Sequence, residues 1–186
     1  MSSFDDIEYI YDVVLADPPW RYSNYQTQQW AVADKFYPTM PPEEIFSLQV
    51  DDLLEPKGVL FLWVTCPLLH LGVQAIEKWN LNFRGVAFVW VKTKKDGTPI
   101  GAQGVRPSIV KPLVEMVLVA TKVKSGRPMP LGSEAVVQTV FAPKREHSQK
   151  PDEVHERIEA LYPHASKVEL FARAKRPGWD AWGNEI

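Results

Sequence analysis

The sequence predicts an α/β protein with three layers, in which a mixed β-sheet lies between helices. In the first half of the chain, apolar runs rich in β-branched residues alternate with segments of helical periodicity. In the second half, two strand-like runs follow one another without a helix between them, which is typical of antiparallel pairing. A length of 186 residues with 45% hydrophobic residues is sufficient for one buried core. We therefore expect a single domain over residues 1–186.

The first strand and the first helix are predicted from apolar composition and from proline. Residues 11–16, Tyr-Asp-Val-Val-Leu-Ala, form a short apolar run that stops at Asp17 and predicts a buried strand followed by a loop. Thr39, then Pro41, Pro42 and two glutamates, predicts the start of a helix with Thr39 as the capping candidate.

The next elements continue the alternation of strand and helix. Residues 58–64 and 85–91 are apolar runs that predict the second and third strands. Apolar residues recur at helical spacing after Pro67 and predict a helix between these strands. Residues 92–112 show no periodicity and are rich in lysine, glycine and proline, which predicts a long functional or disordered loop.

The remaining elements complete the sheet. Residues 115–121 and 135–141 predict the fourth and fifth strands, and the absence of crossover helices implies that strands three, four and five alternate in direction. Residues 151–161 have one apolar face and predict a helix. Residues 167–171 predict the last strand, reached by a right-handed crossover.

This topology predicts where the loops lie. If the first three strands are parallel, the loops after strands one, three, five and the last emerge at one edge of the sheet, where ligands of open α/β sheets bind. The first loop brings the carboxylate of Asp17 to this edge. The later loops bring a set of basic side chains: Lys92, Lys94, Lys95, Arg106, Lys111, Lys144, Arg145, His147 and Lys150. The alternative is that individual loop lysines only keep the protein soluble.

Composition excludes several classes of protein. One cysteine, Cys66, allows neither an internal disulfide nor a multi-cysteine zinc site. The pair His155-Glu156 lacks the second histidine of a zinc protease motif, because position 159 is Glu159, so we expect no metal site. No apolar run is long enough to span a bilayer and the first residues do not form a secretion signal, so we expect a cytoplasmic protein. A net charge of −2 argues against binding nucleic acid by bulk charge.

The strongest motif is Asp17-Pro18-Pro19-Trp20 at the end of the first strand. With the composition of this chain, about 0.003 matches are expected by chance. The motif resembles the catalytic tetrapeptide of amino-methyltransferases that use S-adenosylmethionine. More narrowly, the chain is similar to the family named for the catalytic subunit of the mRNA adenosine methyltransferase, which also has bacterial and phage members.

The resemblance extends from residue 11 to the C-terminus. The segments that fit the family in order are residues 37–40, 61–65, 90–93, 147–153, 168–173, 178–179 and 183–185. It implies a Rossmann-like methyltransferase fold in which the catalytic motif comes first and the cofactor segment last, a permuted order.

The chemistry of the motif suits an exocyclic adenine amine, which is a poor nucleophile because its lone pair is delocalised into the ring. Two hydrogen-bond acceptors would hold the amine and free the lone pair, and the Asp17 carboxylate and the Pro18 carbonyl are suitable. Neither proline has an N–H, so we expect the loop to be stiff and its own donors not to occupy these acceptors. Trp20 or Tyr37 would stack on a base lifted out of its strand.

The resemblance also implies residues that bind the two ligands. Those that flank or contact S-adenosylmethionine are Asp17, Leu170, Phe171, Arg173, Lys175, Asn184 and Glu185, and the last two are suited to the ribose hydroxyls. The residues predicted to contact the substrate are Tyr37, Lys92, Arg106 and His147. For His147 a structural hydrogen bond is an equal alternative. The family also has a lysine that approaches both ligands, but this sequence has no clean counterpart of it, and Lys111 is only nearby.

The resulting hypothesis is an S-adenosylmethionine-dependent adenine N6-methyltransferase that acts on nucleic acid. The resemblance to bacterial or phage members favours DNA slightly over RNA as the substrate. Partners are the nucleic acid and, in addition, a second copy of the chain or a related subunit. The competing hypothesis is a catalytically silent relative that binds nucleic acid or a partner subunit. The intact motif favours the enzyme, because a silent relative could lose it without harm to folding.

Overall fold

The computed structural model describes residues 4, 7–21, 39–101, 110–145, 149–183 and 186. These residues form one seven-stranded sheet with three helices. The elements in chain order are β1 (Tyr11–Ala16), α1 (Pro42–Phe46), β2 (Leu54–Thr65), α2 (Leu69–Lys78), β3 (Asn82–Thr93), β4 (Val114–Thr121), β5 (Thr139–Pro143), α3 (Asp152–Leu161), β6 (Lys167–Leu170) and β7 (Asp180–Trp182). Two short 3₁₀ turns, Val50–Leu53 and Cys66–Leu68, precede β2 and α2.

The sheet is mixed, as the sequence predicted. Its strand order is β5-β3-β4-β2-β1-β6-β7. Strand β4 pairs antiparallel with both β2 and β3, and every other pairing is parallel. Strands β1, β2, β3, β5, β6 and β7 therefore run in one direction, and β4 alone runs against them.

Alternation of side chains along the strands divides the core into two layers. Val14 and Ala16 of β1 lie in a cluster that includes Ile45 of α1 and Ile76 of α2. The opposite face of the sheet carries a second cluster, which contains Val154 and Ile158 of α3 together with buried residues of β1 and β2. Helices cover both faces, which confirms the three-layer α/β class.

Several details differ from the sequence prediction. Strands β2 and β3 begin earlier than predicted, at Leu54 and Asn82. Thr39 does not cap α1, because the capping position is Pro41 and no side chain hydrogen-bonds there. Strand β5 begins at Thr139 and not at 135. Strand β6 is not the last strand, since residues 180–182 form β7 beside it.

No helix in the described ranges has the length and apolar character needed to cross a membrane. No group of three or more histidine, cysteine, aspartate or glutamate side chains in this part of the chain is arranged to hold a metal ion.

Candidate active site

The direction of β4 determines which residues meet at the candidate site. Strands β1, β3, β5 and β6 end at one edge of the sheet, and β4 begins at that edge because it runs in the opposite direction. Glu115, the second residue of β4, is paired with Thr65 at the end of β2 and with Trp90 near the end of β3. A carboxylate from the start of a strand thus joins loops that follow the ends of other strands.

The Asp-Pro-Pro-Trp motif leaves β1 at this edge and is held by backbone hydrogen bonds. The Asp17 N–H donates to Leu170 O of β6 at 3.4 Å, and the Met40 N–H donates to Pro19 O at 2.8 Å. The Trp20 N–H donates to Pro18 O at 2.8 Å. The expectation that no donor of the motif would occupy the Pro18 carbonyl is therefore wrong, although a carbonyl oxygen has a second lone pair available.

Asp17 forms an ion pair with Lys150, whose Nζ lies 2.8 Å from Asp17 Oδ2. The Asp17 side chain is 25% exposed. Burial raises the pKa of Asp17 above its ordinary value, and the attraction of the Lys150 ammonium offsets this only in part. Asp17 is therefore a more basic carboxylate than one on an open surface.

Glu115 extends the ion pair into a network of two carboxylates and two ammonium groups. Lys150 Nζ lies 3.5 Å from Glu115 Oε2, and Lys92 Nζ lies 2.6 Å from Glu115 Oε1. Burial alone would raise the pKa of Glu115, but the ammonium groups of Lys150 and Lys92 outweigh burial and lower it. The network is balanced in charge, with Asp17 and Glu115 opposite the two lysines.

Two tryptophans form the apolar support of this network. Lys150 Nζ lies 5.3 Å from the ring centroid of Trp63, and Lys92 Nζ lies 5.0 Å from that of Trp90. The two rings meet edge to face, with centroids 6.3 Å apart. An ammonium group over an indole face gains cation–π attraction. Each lysine is therefore held by a tryptophan ring of the core as well as by the carboxylates.

Trp20 lies in the core and not on the open side of the site. It is 6% exposed, and its indole N–H donates to Trp63 O at 3.4 Å. A ring buried in this way would have to leave the core to stack on a base. The structure therefore gives Trp20 a packing role, and the interpretation of Trp20 as a stacking residue is not supported.

A cleft of about 280 Å³ lies beside Asp17, next to the ends of β1 and β6. This is close to the lower end of the range for small-molecule sites, about 300–1,000 Å³. Four of the predicted cofactor residues line it: Asp17, Phe171, Arg173 and Lys175. Residues that sequence reasoning did not assign to the cofactor line it as well: Gln149, Lys150, Asp152, His155, Glu169, Ala174, Arg176 and Pro177. The predicted Leu170 is fully buried in the core and is not among the residues that line the cleft.

The backbone turns sharply where β6 enters the cleft. Phe171 adopts a φ of 63°, which is unusual for a bulky residue. Its ring packs edge to face on Trp182 of β7, with centroids 5.5 Å apart. Gly183, directly after β7, approaches Ala172 so closely that an added Cβ would lie 2.2 Å from Ala172 O. The turn into the cleft is thus fixed by close packing against the end of β7.

The chain is similar in sequence to proteins of one family. Residues 11–185 match the family model described as MT-A70. The chain therefore belongs to the MT-A70 family. A Type II methyltransferase, M.MunI, of a Mycoplasma species is 32% identical, and the match covers 95% of this chain and 78% of that protein.

Other MT-A70 relatives are much longer than the matched region. An N(6)-adenosine-methyltransferase MT-A70-like protein of Arabidopsis thaliana is 33% identical over 97% of this chain and 24% of its own length. The N(6)-adenosine-methyltransferase catalytic subunit METTL3 of Homo sapiens is 32% identical over 94% of this chain and 28% of its own length. The chain thus spans about a quarter of the length of these two relatives.

The MT-A70 match contains the whole candidate site, but the structure describes only part of the predicted residues. Asp17, Pro18, Pro19, Trp20, Lys92, Leu170, Phe171, Arg173 and Lys175 lie in the described ranges. Tyr37, Arg106, His147, Asn184 and Glu185 lie outside them. Of the predicted substrate residues, only Lys92 is placed, and it contacts Glu115.

Sequence reasoning missed two residues of the charge network. The lysine that pairs with Asp17 is Lys150, to which no motif in the sequence had assigned a role. The sequence places Lys150 only among the nine basic side chains expected at this edge of the sheet. Glu115 was interpreted as the first residue of a strand, and its only signal was a carboxylate beginning an otherwise apolar run at the ligand edge.

Proposed function

We propose that this MT-A70 chain transfers a methyl group from S-adenosylmethionine to the exocyclic N6 amine of adenine in nucleic acid. The single observation that carries the proposal is the position of Asp17, at the sheet edge and in the lining of the cleft. We favour DNA over RNA, since the match covers most of a Type II methyltransferase and only about a quarter of the N(6)-adenosine-methyltransferases.

The cleft fits a ligand that carries both signs of charge. Its lining includes the carboxylates of Asp17 and Glu169 and the cations of Arg173 and Lys175. S-adenosylmethionine has an α-ammonium, an α-carboxylate and a sulfonium, and when bound it supplies an electrophilic methyl group. We propose that Asp17, Phe171, Arg173 and Lys175 hold it, with Asn184 and Glu185 completing the site.

The chain's own groups would prepare the amine of the substrate. Asp17 accepts one N–H of the amine, and the remaining lone pair of the Pro18 carbonyl accepts the other. Lys150 fixes the carboxylate at 2.8 Å, so the acceptor is in place before the substrate arrives. Because burial raises its pKa, Asp17 is also suited to receive the proton that leaves the nitrogen after methyl transfer.

We also propose that residues 1–186 form a single domain. This domain binds nucleic acid and associates with a second copy of the chain or with a related subunit. One sheet with buried clusters on both faces supports the single domain. Gel filtration with light scattering measures the mass of the particle and so tests whether two copies associate. A particle of one chain, at every concentration at which methyl transfer is seen, would contradict pairing between copies.

The test of the proposed function is transfer of labelled methyl from S-adenosylmethionine to single-stranded DNA, duplex DNA and RNA in parallel. Digestion and chromatography then identify the modified base. We expect N6-methyladenine with the wild-type chain, none with Asp17→Ala, and normal yield with Asp51→Ala, which changes a carboxylate before β2, at the opposite edge of the sheet. Measurable cofactor binding without transfer to any of the three would favour the silent binding subunit.

A further inference from the structure

A buried histidine and a partly exposed glutamate form a pair at the cleft that neither the motif nor the charge network uses. His155 Nε2 lies 2.9 Å from Glu169 Oε2, and both residues line the cleft. The His155 side chain is 8% exposed, whereas that of Glu169 is 21% exposed. The histidine is thus the more buried partner, and the glutamate side chain remains partly exposed where it lines the cleft.

Glu169 occupies a position where an apolar side chain would be ordinary. It lies on β6, next to Leu15 of β1 and Ala181 of β7 in the sheet, and Leu15 is fully buried. A carboxylate in such a layer loses hydration, and it is retained only where a partner compensates for that loss. His155 supplies the compensation on one side of the carboxylate.

The orientation of His155 is fixed independently of any ligand. Its ring meets the Trp179 ring edge to face at 5.2 Å, and the Trp179 indole N–H donates to Glu159 Oε1 at 2.8 Å. The other ring nitrogen, Nδ1, is buried and has no hydrogen-bond partner in the described part of the chain. The bond to Glu169 is therefore the interaction that determines which ring nitrogen carries the proton, with Nε2 as the donor.

We propose that Glu169 binds the α-ammonium group of the cofactor's amino-acid end and that His155 is the positioning residue that holds Glu169 for this contact. The proposal rests on the proposed function, because it assumes S-adenosylmethionine in this cleft. A carboxylate fixed by one oxygen presents the other to a cationic donor without first losing side-chain freedom. Arg173 and Lys175 in the same lining are complementary to the α-carboxylate of that end.

The test compares two nucleosides by titration calorimetry. S-adenosylhomocysteine carries the amino-acid end, and 5′-methylthioadenosine lacks it. We expect His155→Leu and Glu169→Gln each to weaken binding of S-adenosylhomocysteine about tenfold, the size of a lost charged hydrogen bond, and to leave 5′-methylthioadenosine binding unchanged. The double variant should lose little more than either single variant, because the two side chains act as one unit.

Two further variants separate positioning from folding. His155→Gln keeps an N–H donor near the position of Nε2 and should retain most of the affinity, whereas His155→Asn is too short to reach Glu169 and should behave as His155→Leu. His164→Leu changes an exposed histidine and serves as the matched control.

The proposal is overturned if His155→Leu binds both nucleosides as the wild type does, or if it loses affinity for both equally. It is also overturned if His155→Gln and His155→Asn are indistinguishable. A wild-type chain that binds neither nucleoside would instead refute the proposed function, and this inference with it.

Discussion

Lys150 Nζ lies 2.8 Å from Asp17 Oδ2, although 133 positions separate the two residues in the sequence. The same ammonium group lies 3.5 Å from Glu115 Oε2. Glu115 has a second cation, Lys92, and its pKa is lowered, while Asp17 has Lys150 as its nearer cation and its pKa is raised. Burial thus keeps the pKa of Asp17 raised within the network, whereas the two lysines lower that of Glu115, and a raised pKa is the property proposed for the catalytic acceptor.

The first prediction concerns Asp17→Asn. We expect methyl transfer to fall by about 10²–10³, the usual effect of removing one group that stabilises the transition state. We expect the melting temperature at pH 7 to stay the same or to rise. The reason is that a carboxyl group whose folded-state pKa is raised costs stability whenever it is ionised.

The pH dependence of this effect gives the control. As the pH falls through the raised pKa, Asp17 takes up a proton in the folded protein and the cost of ionisation disappears. The melting temperatures of the wild type and of Asp17→Asn should therefore converge in acid, as measured by scanning calorimetry. A variant that is less stable than the wild type at pH 7 and equally stable in acid would have the opposite sign and contradict the assignment.

The second prediction concerns Lys150→Gln and the pH profile of kcat. Asp17 must be ionised to accept the substrate N–H, so activity is lost as the pH falls through its pKa, above the ordinary value of 3.8. Lys150 lowers that pKa, and its removal should move the acid limb of the profile to higher pH. Lys144→Gln, at an exposed lysine of the same loop, should leave the limb in place. A limb that moves equally in both variants would show a general charge effect.

Local signals in the sequence were sufficient for most of the fold. Strand β1 has the bounds that were predicted, because its apolar run ends at a proline pair. Strand β7 was missed, since it has three residues, and only Trp182 among them is both apolar and buried. Strand β5 begins later than predicted because Val137 of the apolar run stays 62% exposed and is not paired in the sheet.

In the candidate site, too, local sequence signals identified some residues, whereas others depend on tertiary contacts. Asp17 was identified because a motif and a strand end coincide in the chain. The contacts of Lys150 and Glu115 depend on which strands lie side by side, and the position of β4 between β2 and β3 is a tertiary feature. The burial of Trp20 under the motif depends on packing as well, so its role as a core residue could not be separated from base stacking by spacing alone.

The third prediction concerns Trp20. We expect Trp20→Ala to cost about 3–5 kcal/mol of unfolding free energy, as large-to-small substitutions of buried aromatic residues do. Trp20→Phe should recover much of this stability and should leave KM for an oligonucleotide unchanged. Urea unfolding and steady-state kinetics measure the two effects. A rise in KM for Trp20→Phe with normal stability would instead support base stacking.

The last prediction concerns Gly183. An added Cβ would lie 2.2 Å from Ala172 O and 2.8 Å from Ala172 N, and both are backbone atoms that cannot rotate away. Relief requires β6 and β7 to separate where Ala172 N–H donates to Trp182 O, so we expect Gly183→Ala to cost about 1–3 kcal/mol. The same movement shifts Phe171 and Arg173 in the cleft lining, so affinity for S-adenosylhomocysteine should fall as well. Gly101→Ala, where an added Cβ meets nothing within 4 Å, is the matched control and should change neither quantity. If Gly183→Ala has the melting temperature of the wild type and binds S-adenosylhomocysteine as tightly, the close packing between the end of β7 and the loop after β6 does not fix the cleft.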